Sequence, residues 1–495
     1  MKNLENKTKK RKVLLIDSAW KTGKFEAPSF SLGYIGAVLL QNDINVEIID
    51  FVSPEGENAK TISEFERKYE QPFFDEIKQK AKHADIVGIT CNYGCYPRAL
   101  KAAESAKKGN KNTLVVIGGP FISSIEHFSK WQGLTLKDSK AIDVSVRGEG
   151  ERTIIELVDF IEGKIKLQEI KGITYRNRGK IYKTQDRELI EDINKIPFPA
   201  WSLFDLKKYA KFMYVIASRG CKYNCAFCDE KILWGRSFRY RNVDNLIDEI
   251  KRNISEFGIT SFSIEDSTLG AYPFIEEFCD KIIAEGLGIK WMALCRVDEI
   301  CKKDVLLRKM KKAGCVSIEF GIESGDNNML NRMRKGTTTN KIKEAVKKSK
   351  NLGFIVQGSF IVGFPGETEE SIEKTIKFAK KLKLDVYRWH IYQPSLRMLA
   401  ESDKWGIVMK DDSWRDINLS LPNHLLTNSM SGHTFALTEQ HAAIRAEENG
   451  EKVNDLGISY CGIKLNRIYT WAQKAMKSTK ANNNELMVYE ILAEN

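Results

Sequence analysis

The chain contains two series in which short apolar segments alternate with helix-like segments, and this alternation constrains its fold more than any other feature. The apolar segments of the first series are KVLLID (12–17), NVEIIDF (45–51), DIVGIT (85–90), TLVVIGGP (113–120) and AIDVSVRG (141–148). Strands that alternate with helices form parallel sheets covered by helices, and near-continuous apolar strands fit burial on both faces. The first series therefore predicts a doubly wound, flavodoxin-like parallel sheet domain over residues 1–165.

A second alternating series begins near residue 210 and predicts a different architecture. Its apolar segments are YVIAS (214–218), SFSIED (261–266), KWMALCRV (290–297), VSIEFGIES (316–324), VQGSFIVGF (356–364) and DVYRWHIYQ (385–393). Six strand–helix units indicate a partial (β/α)6 barrel of the TIM type over residues 210–398, with functional groups at the carboxyl ends of the strands. Residues 166–209 are predicted to form a connector that contains the hairpin ITYRNRGKIYK, and residues 399–495 a mostly helical region.

The composition fits a multidomain α/β protein without a membrane segment. The 495 residues exceed what one compact core holds, and 42% of them are hydrophobic and 29% charged. No window approaches about 18 uninterrupted apolar residues, and the basic N-terminus runs into a strand without the apolar segment of a signal peptide. We therefore expect no transmembrane segment and a cytoplasmic location, where the ten cysteines stay reduced. The net charge of +12 comes from lysines scattered along helices, which is not typical of specific nucleic-acid binding.

Three cysteines lie within eight residues, in CKYNCAFC (221–228), directly after the first strand of the second series. A structural zinc site needs four tetrahedral ligands, and no nearby histidine or second CxxC pair offers the fourth. Three thiolates suit an iron–sulfur cluster that leaves one iron open to an exogenous ligand. The spacing favours such a cluster on Cys221, Cys225 and Cys228, with zinc or three metal-free thiols as the alternatives.

CKYNCAFC, with the aromatic Phe227 directly before its last cysteine, resembles the CxxxCxΦC signature of radical S-adenosylmethionine (SAM) enzymes, and the resemblance covers about residues 210–395. It implies that the three cysteines bind three irons of a [4Fe-4S] cluster and that SAM chelates the fourth iron. Reduction of the cluster would then cleave the C5′–S bond of SAM and give methionine and the 5′-deoxyadenosyl radical.

The same resemblance implies which residues hold SAM at the strand ends. Glu265 and Asp266 would hold the methionyl ammonium, Arg296 would meet the carboxylate bidentately, and Glu323 would contact ribose or carboxylate. The complete set of SAM-binding candidates is Phe227, Glu265, Asp266, Arg296, Glu323, Ser324 and Gly363. For each of the polar residues a surface salt bridge or a turn is the alternative. The candidates for catalysis are Tyr387 and Tyr392 of the last strand and the isolated Cys461, and for all three packing is the alternative.

The N-terminal series resembles the cobalamin-binding domain that precedes the barrel in one radical SAM subclass. The resemblance is carried by PSFSLGYIGAVLLQNDINVEIID, followed by DIVGIT, VVIGGP and VRGEGE, over about residues 10–165. Glycine-rich strand ends would receive the corrin, partly through backbone N–H groups. The residues implied as cobalamin contacts are Thr90, Asn92, Gly118, Gly119, Pro120, Gly148, Glu149 and Gly150. The DxHxxG motif is absent, so no cobalt ligand is assigned, and each glycine alone also fits a tight turn.

Together these resemblances identify the chain as a cobalamin-dependent radical SAM enzyme, similar to the class B methyltransferases. They imply methylation of an unactivated carbon by way of methylcobalamin, with cyclisation, ring contraction or rearrangement as the alternative. A tRNA methylthiotransferase would need a second cysteine trio, and the N-terminal region has only Cys91 and Cys95. A non-catalytic sensor of cobalamin or redox state is a further alternative. The substrate is expected to be a small molecule, a lipid or a peptide, and the electron donor a flavodoxin or ferredoxin.

Overall fold

Two sheets built mainly from parallel strands organise the molecule, which has a mixed α/β fold. The computed structural model describes residues 10–22, 26–53, 66–92, 95–300, 303–392, 396–408, 459–461 and 463–479. Most of the C-terminal region predicted over 399–495 lies outside these residues.

The strands have the following bounds: β1 Lys12–Thr22, β2 Asn45–Ser53, β3 Ile86–Thr90, β4 Leu114–Gly118, β5 Val144–Val146, β6 Ile173–Asn177, β7 Lys180–Lys183, β8 Met213–Val215, β9 Ser218–Gly220, β10 Phe238–Tyr240, β11 Ser261–Ile264, β12 Lys290–Cys295, β13 Cys315–Glu323, β14 Ile355–Val362, β15 Val386–Ile391, β16 Ile407–Val408, β17 Ser459–Tyr460 and β18 Ile463–Lys464.

The α-helices have the following bounds: α1 Phe30–Gln41, α2 Gln71–Ala81, α3 Tyr96–Gly109, α4 Pro120–His127, α5 Leu134–Asp138, α6 Gly150–Ile161, α7 Glu230–Trp234, α8 Val243–Phe257, α9 Ile275–Ala284, α10 Val297–Ile300, α11 Asp304–Lys312, α12 Asn327–Arg332, α13 Thr339–Asn351, α14 Glu369–Leu382, α15 Leu396–Ala400, α16 Ser402–Trp405 and α17 Leu465–Thr479.

The first sheet has seven strands in the order β2-β1-β3-β4-β5-β6-β7. Its first five strands pair in parallel, and β6 and β7 add an antiparallel hairpin at the β5 edge. The apolar run Val13–Ile16 of β1 is almost completely buried, which is why a central strand forms there. The hairpin was predicted, but it extends this sheet, so a domain boundary at residue 165 would cut through it.

The second sheet has six parallel strands in the order β15-β14-β13-β12-β11-β8. Side chains alternate between its two faces, and in β13 Ile318, Phe320 and Ile322 are fully buried while Glu319 is half-buried on the other face. Thr368 caps α14 by accepting a hydrogen bond from the Ser371 N–H. The carboxyl ends of these parallel strands all lie on one edge.

The described part of the C-terminal region packs on this second sheet. Helix α17 contacts β15 and α14, and its Ile468 lies so close to Gly363 that a Cβ there would collide with it. The Trp389 indole N–H donates to the Thr479 hydroxyl over 3.0 Å, which fixes the end of the helix against β15. A small antiparallel sheet of β16, β17 and β18 accompanies this helix.

Candidate active site

The predicted cluster cysteines lie in the loop between β9 and α7, beside the carboxyl edge of the second sheet. Each thiol is partly exposed, and the loop is fixed in place because the Ala226 N–H donates to the Met333 carbonyl over 2.9 Å. Burial raises the pKa of Cys221 and Cys228 above the usual thiol range. Among the described residues, no three His, Cys, Asp or Glu side chains are placed to hold one metal ion. Cluster cysteines each bind a different iron, so their spacing is wider than that of such a set.

Asp266 fixes the chain that leads into this loop. One carboxylate oxygen accepts the Ala217 and Ser218 N–H groups over 2.8 and 3.0 Å, and the other accepts the Ser218 hydroxyl. Burial raises the pKa of Asp266 to about 6, although these hydrogen bonds favour the ionised form. Asp266, which the sequence predicts to contact SAM, therefore already has hydrogen-bond partners within the chain. It positions the strand that precedes the cysteines.

Arg296, predicted to meet the SAM carboxylate, lies directly against the cysteine loop. Its Nη1 donates to the Cys225 sulfur over 3.3 Å, and its Nη2 donates to the Lys335 carbonyl. Its Nε donates to Asp298 over 3.1 Å, and its guanidinium lies 3.7 Å from the centre of the Tyr223 ring. Nη2 also lies 3.1 Å from the same Asp298 oxygen, so the chain itself already engages most of the guanidinium N–H groups.

Glu323 ends β13 in a strained conformation and pairs with a lysine that the sequence analysis missed. Its φ is +64°, which is rare for a residue other than glycine. Its carboxylate lies 2.7 Å from Lys335 Nζ, and both side chains are buried. Gly321 leaves room for this pair, because a Cβ there would lie 2.6 Å from the carboxylate and 2.7 Å from the ammonium. Lys335 Nζ is also 5.7 Å from the centre of the Phe227 ring, next to the cluster motif.

A polar network on the half-buried face of the second sheet is a further feature that the sequence analysis did not identify. Arg388 donates to the Gln357 side-chain oxygen over 3.0 Å and lies 3.5 Å from a Glu319 carboxylate oxygen. Ser359 donates to the other Glu319 oxygen. Burial raises the pKa of Glu265 to about 7, the Glu319 charge adds to this effect, and Arg388 opposes it. Alternating polar residues in β13 and β15 were the available sequence signal for this face.

Two other predicted SAM contacts serve packing or turn formation in this structure. The Ser324 hydroxyl lies 3.1 Å from the Thr375 hydroxyl and accepts the Asp326 N–H. Gly363 has φ +92° and faces Ile468 of α17. Glycine is needed at Gly363 because a helix from the C-terminal region approaches it, and its contact with SAM stays a prediction.

The three candidates for catalysis do not come together with the cysteines. The Tyr387 hydroxyl accepts the Leu384 N–H over 2.9 Å near the amino end of β15, and alternation places this side chain opposite Arg388. Tyr392 is 1% exposed, and its hydroxyl contacts the Met398 sulfur. Cys461 is exposed in the turn between β17 and β18 and donates to the Trp405 carbonyl, so its predicted helical setting is wrong.

The carboxyl edge of the first sheet carries most of the residues predicted to contact cobalamin. The exposed or partly exposed residues of this edge are Thr90, Asn92, Gly118, Gly119, Pro120, Gly148 and Gly150. Gly119 has φ +103°, and a Cβ there would lie 2.7 Å from the Cys91 carbonyl oxygen, so this turn requires glycine. Gly148 has φ +73° and no atom within 4 Å of a Cβ position, so space lies open in front of it.

Glu149 departs from its predicted role because the chain itself pairs with it. Its side chain is 2% exposed and accepts Arg219 Nη1 over 2.6 Å, while Arg239 Nη1 lies 3.0 Å from each of its oxygens. Glu151 accepts the other terminal nitrogen of Arg219 over 2.6 Å. Arg219 and Arg239 are paired residues of the β9–β10 hairpin. The cobalamin-contact prediction for Glu149 is therefore corrected: its carboxylate joins the first sheet to the strand that precedes Cys221.

The comparison with protein families decides the assignment of this site. The model of the radical SAM superfamily matches residues 215–379. An uncharacterized methyltransferase of Pyrococcus horikoshii is 35% identical over 376 residues, which cover 74% of this chain and 76% of that protein. The chain belongs to the radical SAM superfamily.

Two further comparisons place this radical SAM protein among its relatives. An anaerobic magnesium-protoporphyrin IX monomethyl ester cyclase of Rubrivivax gelatinosus is 30% identical over 334 residues, which cover 65% of this chain and 59% of that protein. The structure of the radical SAM methyltransferase TsrM of Kitasatospora setae, with cobalamin and a [4Fe-4S] cluster bound, matches with a TM-score of 0.67. That match covers 95% of this chain and 91% of TsrM at 13% identity, so it shows a shared fold.

The predicted family is thus confirmed for this radical SAM protein. In the part of the chain that the structure describes, no helix has the length and hydrophobicity needed to cross a membrane.

Proposed function

We propose that this protein is a cobalamin-dependent radical SAM methyltransferase that methylates an unactivated carbon. The similarity to the Pyrococcus methyltransferase and the fold shared with TsrM support this proposal. In it, the first sheet is a flavodoxin-like cobalamin domain, because its parallel strands have the order 2-1-3-4-5. The six-stranded sheet with its helices is a partial (β/α)6 barrel. Residues 166–209 connect the two domains, except that the hairpin within them belongs to the first sheet.

The observation that carries the proposal is the ion-pair network between the two strand edges. Glu149 and Glu151 follow β5 of the first sheet, and Arg219 lies two residues before Cys221. All three side chains are largely buried, so this contact fixes the cysteine loop relative to the glycine-rich edge. Transfer between two cofactors requires such fixed placement, because substrate must reach both reactive groups.

The residues around the loop fit an iron–sulfur cluster and SAM. The donor set offers three thiols with a guanidinium N–H on one sulfur and the ammonium of Lys335 close by, and positive charge stabilises thiolate ligands. The cluster, when bound, supplies the electron that cleaves the C5′–S bond of SAM. Arg296 would orient the SAM carboxylate through its guanidinium group. Glu265, whose carboxyl group has its pKa raised by burial, would accept the ammonium.

The carboxyl edge of the first sheet fits a large planar ligand. Its residues are small, Gly148 faces open space, and Asn92 and Pro120 are exposed, so a ring system can approach the backbone closely. Cobalamin, when bound, supplies the methyl group. The N–H groups at the start of α4 and α6 would meet the polar substituents of the ligand. We propose a flavodoxin or ferredoxin as the electron donor, in keeping with the positive net charge.

Product analysis with methyl-labelled SAM tests the proposal. Reconstituted protein with cobalamin and an electron donor should form 5′-deoxyadenosine and transfer the labelled methyl group to carbon. Formation of 5′-deoxyadenosine without label in any product would refute methyl transfer.

Radical cyclisation is the second candidate function, and the 30% identity to the Rubrivivax cyclase favours it. The same experiment separates the two, because a cyclase would give an altered carbon skeleton with no labelled methyl group. The fold does not decide between them, since the cofactors carry the chemistry.

A further inference from the structure

Four cations from separate loops converge at the carboxyl edge of the second sheet, beside the cysteine loop. Lys231 belongs to α7 and Arg236 follows it, Arg334 follows α12, and Arg397 belongs to α15 after β15. The edge strands of the second sheet are β8 and β15, and β13 lies in its interior. Because the four residues follow β8–β9, β13 and β15, they surround the mouth of the barrel. We name these four residues the mouth patch.

The mouth patch has no matching anions among the residues that the structure describes. None of its members lies in an ion pair with a described carboxylate, and Nη1 of Arg397 is buried without a hydrogen-bond partner. Glu401 is an acidic neighbour of both Arg397 and Lys231, and it already pairs with Lys404 over 3.2 Å. A buried guanidinium nitrogen without a partner is costly, which indicates a site that a ligand completes.

The members of the mouth patch also act on one another. Repulsion from Arg397, and then burial, Arg236 and Arg334, lowers the pKa of Lys231. The Lys231 ammonium lies 3.5 Å from the Asn224 side-chain oxygen, and Asn224 stands between two of the cluster cysteines. Arg334 has a positive φ of +54°, an unfavourable conformation for arginine that turns the chain just before Lys335. Cations held together in this way gain most from a ligand that carries more than one negative charge.

We propose that the mouth patch binds a phosphate or phosphonate group of the substrate. This inference rests on the proposed function, since it names the substrate class of the same site. Arginine forks match the oxygen geometry of phosphorus oxyanions, and three arginines with one lysine suit a dianion better than a single carboxylate. The anionic group would anchor one end of the substrate at the mouth, while the carbon to be modified reaches the space next to Cys225 and Arg296.

The test measures binding of inorganic phosphate and of methylphosphonate to reconstituted enzyme that holds its cluster and SAM, at constant ionic strength. We expect saturable binding by isothermal titration, weakened about tenfold or more in Arg397→Gln and in Lys231→Gln, because charge-assisted hydrogen bonds are lost. Lys347→Gln, which removes an exposed lysine from α13, is the matched control and should bind like the wild type. Arg334→Gln tests the site at an exposed position where folding is not at risk.

Equal phosphate affinity in the wild type, Arg397→Gln and Arg334→Gln would overturn the proposal. Loss of phosphate binding on loading with cobalamin, but not with cobinamide, would assign the patch to the phosphodiester of the cofactor and also overturn it. The absence of phosphate binding together with slower reduction of the cluster by flavodoxin in Arg397→Gln would show a protein-docking surface instead. Methyl transfer without phosphate binding would refute this inference alone, and phosphate binding without methyl transfer would refute the proposed function alone.

Discussion

The two carboxyl edges of this molecule differ in what they present to a ligand. The edge of the second sheet presents charged side chains, among them Arg296, Lys335 and Glu323, and most of their polar atoms already have partners within the chain. The edge of the first sheet presents small residues and backbone, with open space at Gly148. This difference fits the proposed function, in which the edge of the second sheet would orient a small charged ligand by side-chain contacts and the edge of the first sheet would receive a large ligand through its shape.

The two edges also differ in their buried acidic groups. Glu265, Asp266 and Glu367 all lie at the barrel edge, and burial raises the pKa of each. Burial disfavours the ionised form of these carboxyl groups, so a cation bound beside them would stabilise that form.

The largest effect is expected for Cys225→Ala, which removes one thiol from the barrel edge. The variant should lose the cluster and form no 5′-deoxyadenosine, since two thiols do not retain it. It should still bind cobalamin, because the first edge is untouched. Iron analysis and visible absorption after anaerobic reconstitution measure both. Cys461→Ala, at an exposed turn, is the control, and a full iron content in Cys225→Ala would contradict the assignment.

The second-largest effect is expected for Glu149→Gln, which alters the ion-pair contact between the two sheet edges. The substitution removes the buried anion that Arg219 and Arg239 share and leaves Arg219 with Glu151 alone, so the free energy of unfolding should fall by about 3 kcal/mol. Radical formation should also become uncoupled from methyl transfer, because the cysteine loop is no longer fixed to the first sheet. Calorimetry and the ratio of 5′-deoxyadenosine to methylated product test this. A ratio equal to that of the wild type would show that the network does not position the loop.

Stability should decline with rising pH because of Glu367 at the barrel edge. Burial raises its pKa from 4.5 in the unfolded chain to about 8, so the folded protein binds the proton more tightly between these values. Its contribution is complete below pH 4.5 and is lost as pH rises towards 8, with a loss on the order of 5 kcal/mol. Glu367→Gln should flatten this decline in calorimetric scans, while Glu370→Gln, at an exposed position, should leave it unchanged.

At the first edge, two glycines offer a matched comparison. Gly148 and Gly163 have φ of +73° and +76°, and neither has an atom within 4 Å of a Cβ position. Alanine at either should cost about 1 kcal/mol of stability. Only Gly148→Ala should weaken cobalamin binding, about tenfold, because only its methyl group would enter the ligand space. Equal affinities of the two variants in a spectrophotometric titration would remove Gly148 from the cobalamin site.

The smallest effect is expected for Tyr387→Phe. The hydroxyl accepts one backbone N–H on the face opposite Arg388, so its loss should change stability by about 1 kcal/mol at most. Turnover should stay at the wild-type level. A large decrease in turnover with unchanged unfolding temperature would restore Tyr387 as a candidate for catalysis.

The sequence was sufficient where a pattern is local. The cysteine spacing predicted the family, and the two alternating series predicted the parallel sheets, because these signals lie within a few consecutive residues.

The sequence was insufficient where a role depends on a distant partner. Glu149 looked like a strand-end ligand contact, but its role depends on Arg219, which comes from the next sheet. Gly363 looked like part of a nucleotide-binding turn, but α17 returns from the end of the chain to cover it. Lys335 carries no periodic signal in its loop, and only the fold brings it to Glu323.

The central claim, that the two edges hold two different cofactors, is tested most directly by the absorption spectrum of anaerobically purified protein supplied with cobalamin. After removal of unbound ligand, the account predicts cluster and corrin bands together in the same protein. A spectrum that shows the cluster without the corrin would contradict it.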